Sequence, residues 1–359
     1  MDFLKRNFLF LAPMAGYTNG ACRRIFRESG GADGCVSEFV YCRAVLSEAA
    51  RVFEKMAFDD AERPFGIQIF GSDPSEMADA ASLIEERLSP DFIDVNFGCP
   101  APNAVGAGAG SALLRDVPRM SKIVSAMAGA LKKTPVTAKM RSGWSLGEIA
   151  VPRAALALQD AGAKMITLHG RTKSQGYSGD ADWDLIERTA RSLSIPLIGN
   201  GSAEKLAAGS LRGSACAGFM IGRAALGNPW VFLKVRGEIE GREFTPPTPA
   251  ERARLALRYA RLMCDGRDSG VSPENITHIR SQTIRFLKGG LQKSARRNFK
   301  NQNFGRIGKH IMRIFLKMFF VLAAAGAAFA ESGGTAKDFI ERGASFYARG
   351  DYAAARELL

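Results

Sequence analysis

Residues 91–100 read DFIDVNFGCP. The stretch opens as a buried strand, with apolar Phe92, Ile93 and Val95 interrupted only by Asp94, and it stops at Asn96, Phe97, Gly98, Cys99 and Pro100. A Gly before the cysteine and a Pro after it define a tight turn that holds a thiol at the carboxyl end of a strand. In an α/β barrel that end carries the chemistry. A lone cysteine is also an ordinary small buried hydrophobe, so the surroundings of Cys99 decide between the two readings.

Short apolar runs that end in polar or Gly-rich residues recur at 8–13, 32–37, 65–70, 92–97, 136–140, 165–169, 196–199 and 218–221. Helical patterns lie between them, among them 75–88, 118–131, 149–160 and 183–192. Continuous apolar strands alternating with helices predict a parallel sheet covered on both faces. Eight such units in about 225 residues match a (β/α)8 TIM barrel. A doubly wound open sheet is the alternative. It is weakened because Pro13-Met14-Ala15-Gly16 stands where a Gly-x-Gly-x-x-Gly turn would follow the first strand.

A chain of 359 residues, 46% hydrophobic, holds one large domain and a smaller one. The barrel is expected over residues 1–245. Pro246, Pro247 and Pro249 form a linker, and a basic helical domain follows over 246–300. Its charges are Arg252, Arg254, Arg258, Arg261, Arg280, Arg285, Lys288, Lys293, Arg296, Arg297 and Lys300. Such residues ordinarily line a solvated helix face. Here they add to a formal net charge of +13, which points to a polyanionic partner, nucleic acid first. Six cysteines without a Cys-x-x-Cys pair, and only three histidines, indicate neither a metal centre nor a disulfide framework. A cytoplasmic protein without stable membrane association is expected, and the amino terminus does not read as a signal peptide.

Residues 301–359 form an atypical tail. Residues 312–317 supply a positive start, 318–327 an apolar block, and Ala328-Phe329-Ala330 an Ala-x-Ala end, the anatomy of a secretory signal peptide. The block is short for a membrane span of about 20 residues. Residues 344–359 resemble the first helix of a tetratricopeptide repeat, which cannot bury its own face. The tail reads as a second reading frame's product joined to a truncated first protein. The plainer alternative is a terminal amphipathic helix.

Polar residues close successive strands: Gln68 the third, Asn96 and Cys99 the fourth, Lys139 and Arg141 the fifth. His169 and Arg171 close the sixth, Asn200 and Gly201 the seventh, Gly222 and Arg223 the eighth. Each alone has an ordinary packing explanation. Burying so many unpaired would cost about 1–3 kcal/mol apiece, so the rim reads as a ligand site. Gly199-Asn200-Gly201-Ser202 and Gly222-Arg223 bring glycines and an Arg to the place where such barrels bind phosphate.

Over residues 8–300 these motifs, in this order, resemble the tRNA-dihydrouridine synthase family. They are LAPMAG at 11–16, Gly98-Cys99-Pro100, Lys139-Met140-Arg141 with Gly143-Trp144, and His169-Gly170-Arg171-Thr172. Tyr177-Ser178-Gly179, Ala181-Asp182-Trp183, Gly199-Asn200-Gly201 and Met220-Ile221-Gly222-Arg223-Ala224 complete the set. The resemblance implies an FMN-bearing barrel followed by a helical RNA-binding domain, reducing tRNA uridines with NADPH (or NADH). It places Pro13, Met14, Ala15 and Gln68 at the flavin ring, and Lys139 at its pyrimidine side, where it favours the negative charge of reduced flavin. Asn200, Gly201, Ser202, Gly222 and Arg223 would hold the FMN phosphate. His169 stands at the cofactor and near the base. Asn96, Arg141 and Arg171 contact the base or flanking phosphates, and Cys99 gives the proton opposite the hydride. The uridine has to leave its stack to reach the ring. A monomer without metal is expected.

The chain also departs from the family. Ala101, Pro102, Asn103 and Ala104 precede Val105 where the family usually carries a Lys before a Val, and residues 281–289 read SQTIRFLKG where many relatives have Lys-His before a Trp-Tyr-Leu-Lys-Gly run. Other readings are a dihydroorotate-dehydrogenase-like flavin reductase of a small molecule and a tRNA-binding protein that has lost catalysis. An aldolase or isomerase barrel using Lys139 as a Schiff-base amine is a further alternative.

Overall fold

A computed structural model of the chain describes residues 1, 3–4, 6–265, 281–283 and 285–286. Eight parallel strands close on themselves: β1 (Phe8–Leu11), β2 (Gly34–Val36), β3 (Phe65–Phe70), β4 (Phe92–Phe97), β5 (Val136–Arg141), β6 (Ile166–His169), β7 (Leu197–Asn200) and β8 (Gly218–Ile221). Closure comes from β1, which pairs β8 (Phe8 opposite Gly218) and β2 (Phe10 opposite Gly34), while β2 also pairs β3 (Cys35 opposite Phe65). Helices such as Gly20–Ser29, Pro74–Leu88, Val117–Ala130, Trp183–Ser192 and Val231–Glu240 separate the strands. The architecture is the (β/α)8 barrel that the apolar runs imply, not the open sheet.

The helix starts have local causes. Asp73 accepts from the N–H groups of Ser75 and Glu76 at 2.9 and 3.1 Å ahead of Pro74, Asp116 accepts from Arg119 N at 3.0 Å, and Asp182 accepts from Leu185 N at 2.8 Å. One expectation needs correction. The helix read over 149–160 begins only at Arg153, and Ile149 lies in an antiparallel hairpin, Gly143–Ser145 with Glu148–Ile149. Pro152 carries no N–H and disfavours a helical Val151. Gly143 lets the hairpin close, since a Cβ there would stand 2.2 Å from the Glu148 carbonyl oxygen.

Side-chain alternation makes the barrel interior apolar low and polar high. Phe8, Phe10, Val36, Phe92, Met165, Ile198 and Met220 pack as one buried cluster, with Phe8 and Phe10 ring centroids 4.5 Å apart. Each fully buried Phe contributes up to about 3 kcal/mol. Two or four residues further along the same strands stand Asp94 and Asn96 after Phe92, Thr167 and His169 after Met165, and Asn200 after Ile198. The phase of each strand therefore delivers its polar residue to the same mouth.

The loop entering β5 is held from outside. Glu85 accepts from the main-chain N–H groups of Lys132, Lys133 and Thr134 at 2.9, 2.9 and 2.6 Å. Partial burial works to raise its pKa, but the three donors outweigh it and bring the carboxyl to about 2. A depressed carboxyl stabilises the fold above its ordinary pKa of 4.5, and that contribution fades as pH falls toward 2. Glu85→Gln is expected to cost about 1 kcal/mol at neutral pH, allowing for solvent screening. Urea titrations of both proteins check this: the gap narrows as pH falls from 4.5 toward 2.

The chain divides into two compact units, Met1–Pro247 and Thr248–Leu359. In the second, the helix Pro249–Asp265 starts on a reciprocal cap in which Thr248 N donates to Glu251 Oε2 at 2.7 Å and Glu251 N to Thr248 Oγ1 at 3.2 Å. Leu255, Ala256, Tyr259 and Ala260 are buried, and Tyr259 lies 5.3 Å from Phe286, centroid to centroid. Arg280, Lys288, Lys293, Arg296, Arg297, Lys300 and the whole 301–359 tail lie outside the described residues. Among the described residues no helix is long and apolar enough to cross a membrane.

Candidate active site

The thiol sits on a turn built at the end of β4. Asn96 Oδ1 accepts from Gly98 N at 2.9 Å and Cys99 N at 2.8 Å, so the carboxamide replaces the strand partners that both groups lose there. The turn is tied on two further sides: Ser111 N donates to the Cys99 carbonyl at 3.0 Å, and Arg141 Nε to the Gly98 carbonyl at 3.1 Å. Cys99 is 8% exposed. Burial, above all, pushes the Cys35 and Cys216 thiols up to about 12.

Beneath the turn, Gln68, Asp94, Asn96 and Thr137 form one hydrogen-bonded set. Burial raises Asp94 to about 6, against the pull of Gln68, Thr137 and Lys139. Lys139, half-buried on β5, is lowered to about 8 by burial and then by Arg141, with Asp94 and Cys99 acting the other way.

The far wall is cationic. Arg141 spends its guanidinium on main-chain carbonyls, reaching Thr172 and Gly176 at 2.9 Å besides Gly98, and so ties the thiol turn to the loop after β6. Arg171 donates to the Gly179 carbonyl at 2.8 Å and lies 3.4 Å from both His169 Nε2 and Ser202 Oγ. Arg223 stacks on the Tyr177 ring at 4.0 Å. Burial, followed by Lys139, Arg141, Arg171 and Arg223, holds His169 well below its ordinary pKa, so the imidazole is neutral at neutral pH. Burial lowers Arg141 and Arg171 as well.

The seventh strand ends in a turn available only to glycine. Gly201 has φ +117°, and a Cβ there would lie 2.7 Å from Ala181 Cβ and 2.8 Å from His169 Cδ2. Trp183 Nε1 donates to its carbonyl at 2.9 Å. Ser202 follows in the left-handed region at φ +55°, and Asn200 Nδ2 donates to the Met220 carbonyl at 2.7 Å, linking the turn to β8. At Gly222 a Cβ would meet only Ala12 and Met14, at 3.6 and 3.8 Å, so side chains there leave room for a ligand. Pro13 and Met14 are half-buried and Ala15 is exposed above β1, where Thr18 Oγ1 accepts from Met14 N at 2.9 Å.

Every residue read from the sequence as a site candidate thus lies among the last three residues of a strand or just beyond its carboxyl end, with Gln68 and Lys139 two residues short of the ends of β3 and β5. The sequence alone assigns no role there to Asp94, Thr137, Thr18 or Tyr177. The signal for Asp94 was present: a carboxylate inside an apolar run, two residues from Asn96, has to point into the same interior. Among the described residues no three His, Cys, Asp or Glu side chains gather as they would around a metal ion.

A family model described as dihydrouridine synthase matches residues 10–318, running past residue 301 where the atypical tail was expected to begin. A protein named probable tRNA-dihydrouridine synthase from Treponema pallidum (strain Nichols) is 36% identical over 296 residues, spanning 80% of this chain and 86% of its own. One of the same name from Aquifex aeolicus (strain VF5) is 37% identical over 296 residues, with 80% and 89% covered. A tRNA-dihydrouridine(16) synthase from Cupriavidus necator is 38% identical over 264 residues, with 71% and 81% covered.

Proposed function

We propose, since the chain belongs to the dihydrouridine synthase family, that it reduces the 5,6 double bond of particular tRNA uridines, with FMN as cofactor and NADPH as reductant. The observation that carries this reading is the thiol turn of Cys99 beside Lys139 inside a cationic mouth. The site fits FMN: Arg223 would match its phosphate, the Gly222 turn would admit it close to the backbone, and the ammonium of Lys139 would meet the ring. Asn200, Gly201 and Ser202 would complete the phosphate cradle, with Pro13, Met14 and Ala15 along the ring; Gln68, fully buried with both amide atoms bonded to Asp94 and Asn96, would support the site from behind instead of touching the ring. FMN held there and reduced by NADPH would supply the hydride for one carbon of the uracil double bond.

The chain's own residues do the rest. Cys99 Sγ gives its proton to the other carbon, leaving a thiolate that is reprotonated between turnovers. Arg141 holds the Gly98 carbonyl and so keeps the thiol at the mouth. His169, neutral, offers or accepts a hydrogen bond to the base without adding charge. Asn96 and Arg141, whose polar atoms are taken up by the thiol turn and the loop after β6, would shape the pocket for the extruded nucleotide, Arg171 would add charge to it, and the basic helical domain over 246–300 receives the rest of the tRNA in the cytoplasm.

The test is to record the visible spectrum of the full chain and of residues 1–300, then to assay dihydrouridine in unmodified tRNA with NADPH. A yellow protein that oxidises NADPH but leaves tRNA unchanged sinks the proposal. Lys139 adds a pH prediction. Its ammonium form is the one that favours charge on the cofactor, so activity is full below about 8 and falls as pH rises through it. Arg stays charged throughout, so the part of the alkaline fall that belongs to Lys139 should vanish in Lys139→Arg.

A further inference from the structure

Four side chains beneath the thiol are joined end to end. Thr137 Oγ1 donates to Asp94 Oδ1 at 2.6 Å, Gln68 Nε2 to Asp94 Oδ2 at 2.6 Å, and Asn96 Nδ2 to Gln68 Oε1 at 2.8 Å. Asn96 Oδ1 then accepts from the N–H groups of Gly98 and Cys99. All four side chains are buried, so water does not substitute freely for any link.

The chemistry runs one way along this chain. Backbone N–H groups only donate, so they require the oxygen of Asn96, and its NH2 must then face Gln68. Gln68 offers its own oxygen and turns its NH2 toward position 94, where only an acceptor fits. An ionised carboxylate is an acceptor and nothing else. From the other end, the carboxylate of Asp94 determines which way round two successive carboxamides lie. A carboxamide without such an anchor has two orientations of nearly the same shape. Reversed, Asn96 would aim N–H at N–H, and the Cys99 turn would lose both bonds.

We propose that Asp94 is a positioning residue for Cys99, acting through Gln68 and Asn96 to pin the Gly98–Cys99 turn. Its catalytic consequence rests on the reading of Cys99 as proton donor; the positioning itself is measured on the turn. Asp94 also places a negative charge beside Lys139, so one side chain serves both the acid's loop and the cofactor-facing ammonium.

The test follows the turn in the full chain, by amide hydrogen exchange of the peptide carrying Gly98 and Cys99 and by the rate of Cys99 alkylation with iodoacetamide. Asp94→Asn replaces a charged, acceptor-only anchor with a neutral amide that can turn NH2 toward Gln68, so the orientation required by the Gly98 and Cys99 N–H groups loses its support at the far end. Exchange and alkylation at Cys99 are expected to rise about fivefold or more, and dihydrouridine formation to fall with them. Combining Asp94→Asn with Gln68→Glu moves the carboxylate one link along: the amide at position 94 donates to it, and it still accepts from Asn96. Protection of the turn should then return toward wild type. Wild-type protection in Asp94→Asn, or a double variant no better protected than the single one, overturns the proposal. If Asp94→Asn is recovered unfolded, the double variant decides: folded with a protected turn supports the relay, unfolded overturns it. Failure of the acid assignment would look different, with Cys99→Ala keeping turnover while Asp94→Asn still loosens the turn.

Discussion

Cys99→Ala is expected to lower dihydrouridine formation by about 10²–10⁴-fold, the usual contribution of one positioned proton donor, while leaving bound flavin in place. The substitution removes a single sulfur. The bonds that define the turn run through main-chain groups, from Cys99 N to Asn96 Oδ1 at 2.8 Å and from Ser111 N to the Cys99 carbonyl at 3.0 Å, and Ala keeps all of them. Gly110, whose added Cβ would stand 3.2 Å from Cys99 Cβ, meets the same methylene position in either protein. A loss of turnover therefore reports the proton and not the fold. The measurement is single-turnover reduction of tRNA by the flavin-loaded variant, with the visible spectrum as control. Full turnover in Cys99→Ala would remove the thiol from the chemistry.

Gly201→Ala is expected to destabilise the barrel by about 2–6 kcal/mol and to lose the cofactor with it. Two terms contribute. A φ of +117° is closed to residues with a Cβ, which costs about 1–3 kcal/mol. The new methyl would also press on Ala181 Cβ at 2.7 Å and His169 Cδ2 at 2.8 Å, adding about 1–3 kcal/mol of overpacking. Neither neighbour gives way easily, since one Cβ moves only with its backbone and the buried imidazole is braced by Arg171 at 3.4 Å. Against a total stability of about 5–15 kcal/mol this is a large share. Denaturant midpoints and flavin bound per protein check it, with Gly209→Ala as control because a Cβ there meets nothing within 4 Å. A Gly201→Ala protein as stable and as yellow as the control would rule out the strained turn.

The barrel was legible because its signals are local. Eight apolar runs of strand length, each closed by a polar or Gly-rich residue, need no knowledge of what they pair with. The hairpin at Gly143–Ile149 was not legible, because its cause is a close approach at Gly143, where a Cβ would stand 2.2 Å from a carbonyl oxygen five residues away. Helical periodicity at 149–152 gave way to Pro152 and to that contact. The relay under Cys99 was hidden for a related reason. Asp94, Gln68 and Thr137 are 26 and 43 residues apart along the chain, and only the register of three neighbouring strands shows that one carboxylate serves both.

By itself, the order of residues determined the alternation of strand and helix, the polar crown at the strand ends and the cysteine turn, since each depends on spacing within about ten residues. Tertiary structure alone decided how that crown divides. It made Arg141 a brace for the Gly98 carbonyl, paired Arg223 with Tyr177, gave His169 its neutral form, and set Asp94 beneath the thiol. Burial and like-charge crowding depend on distances between strands far apart in sequence, and barrel closure is what sets those distances.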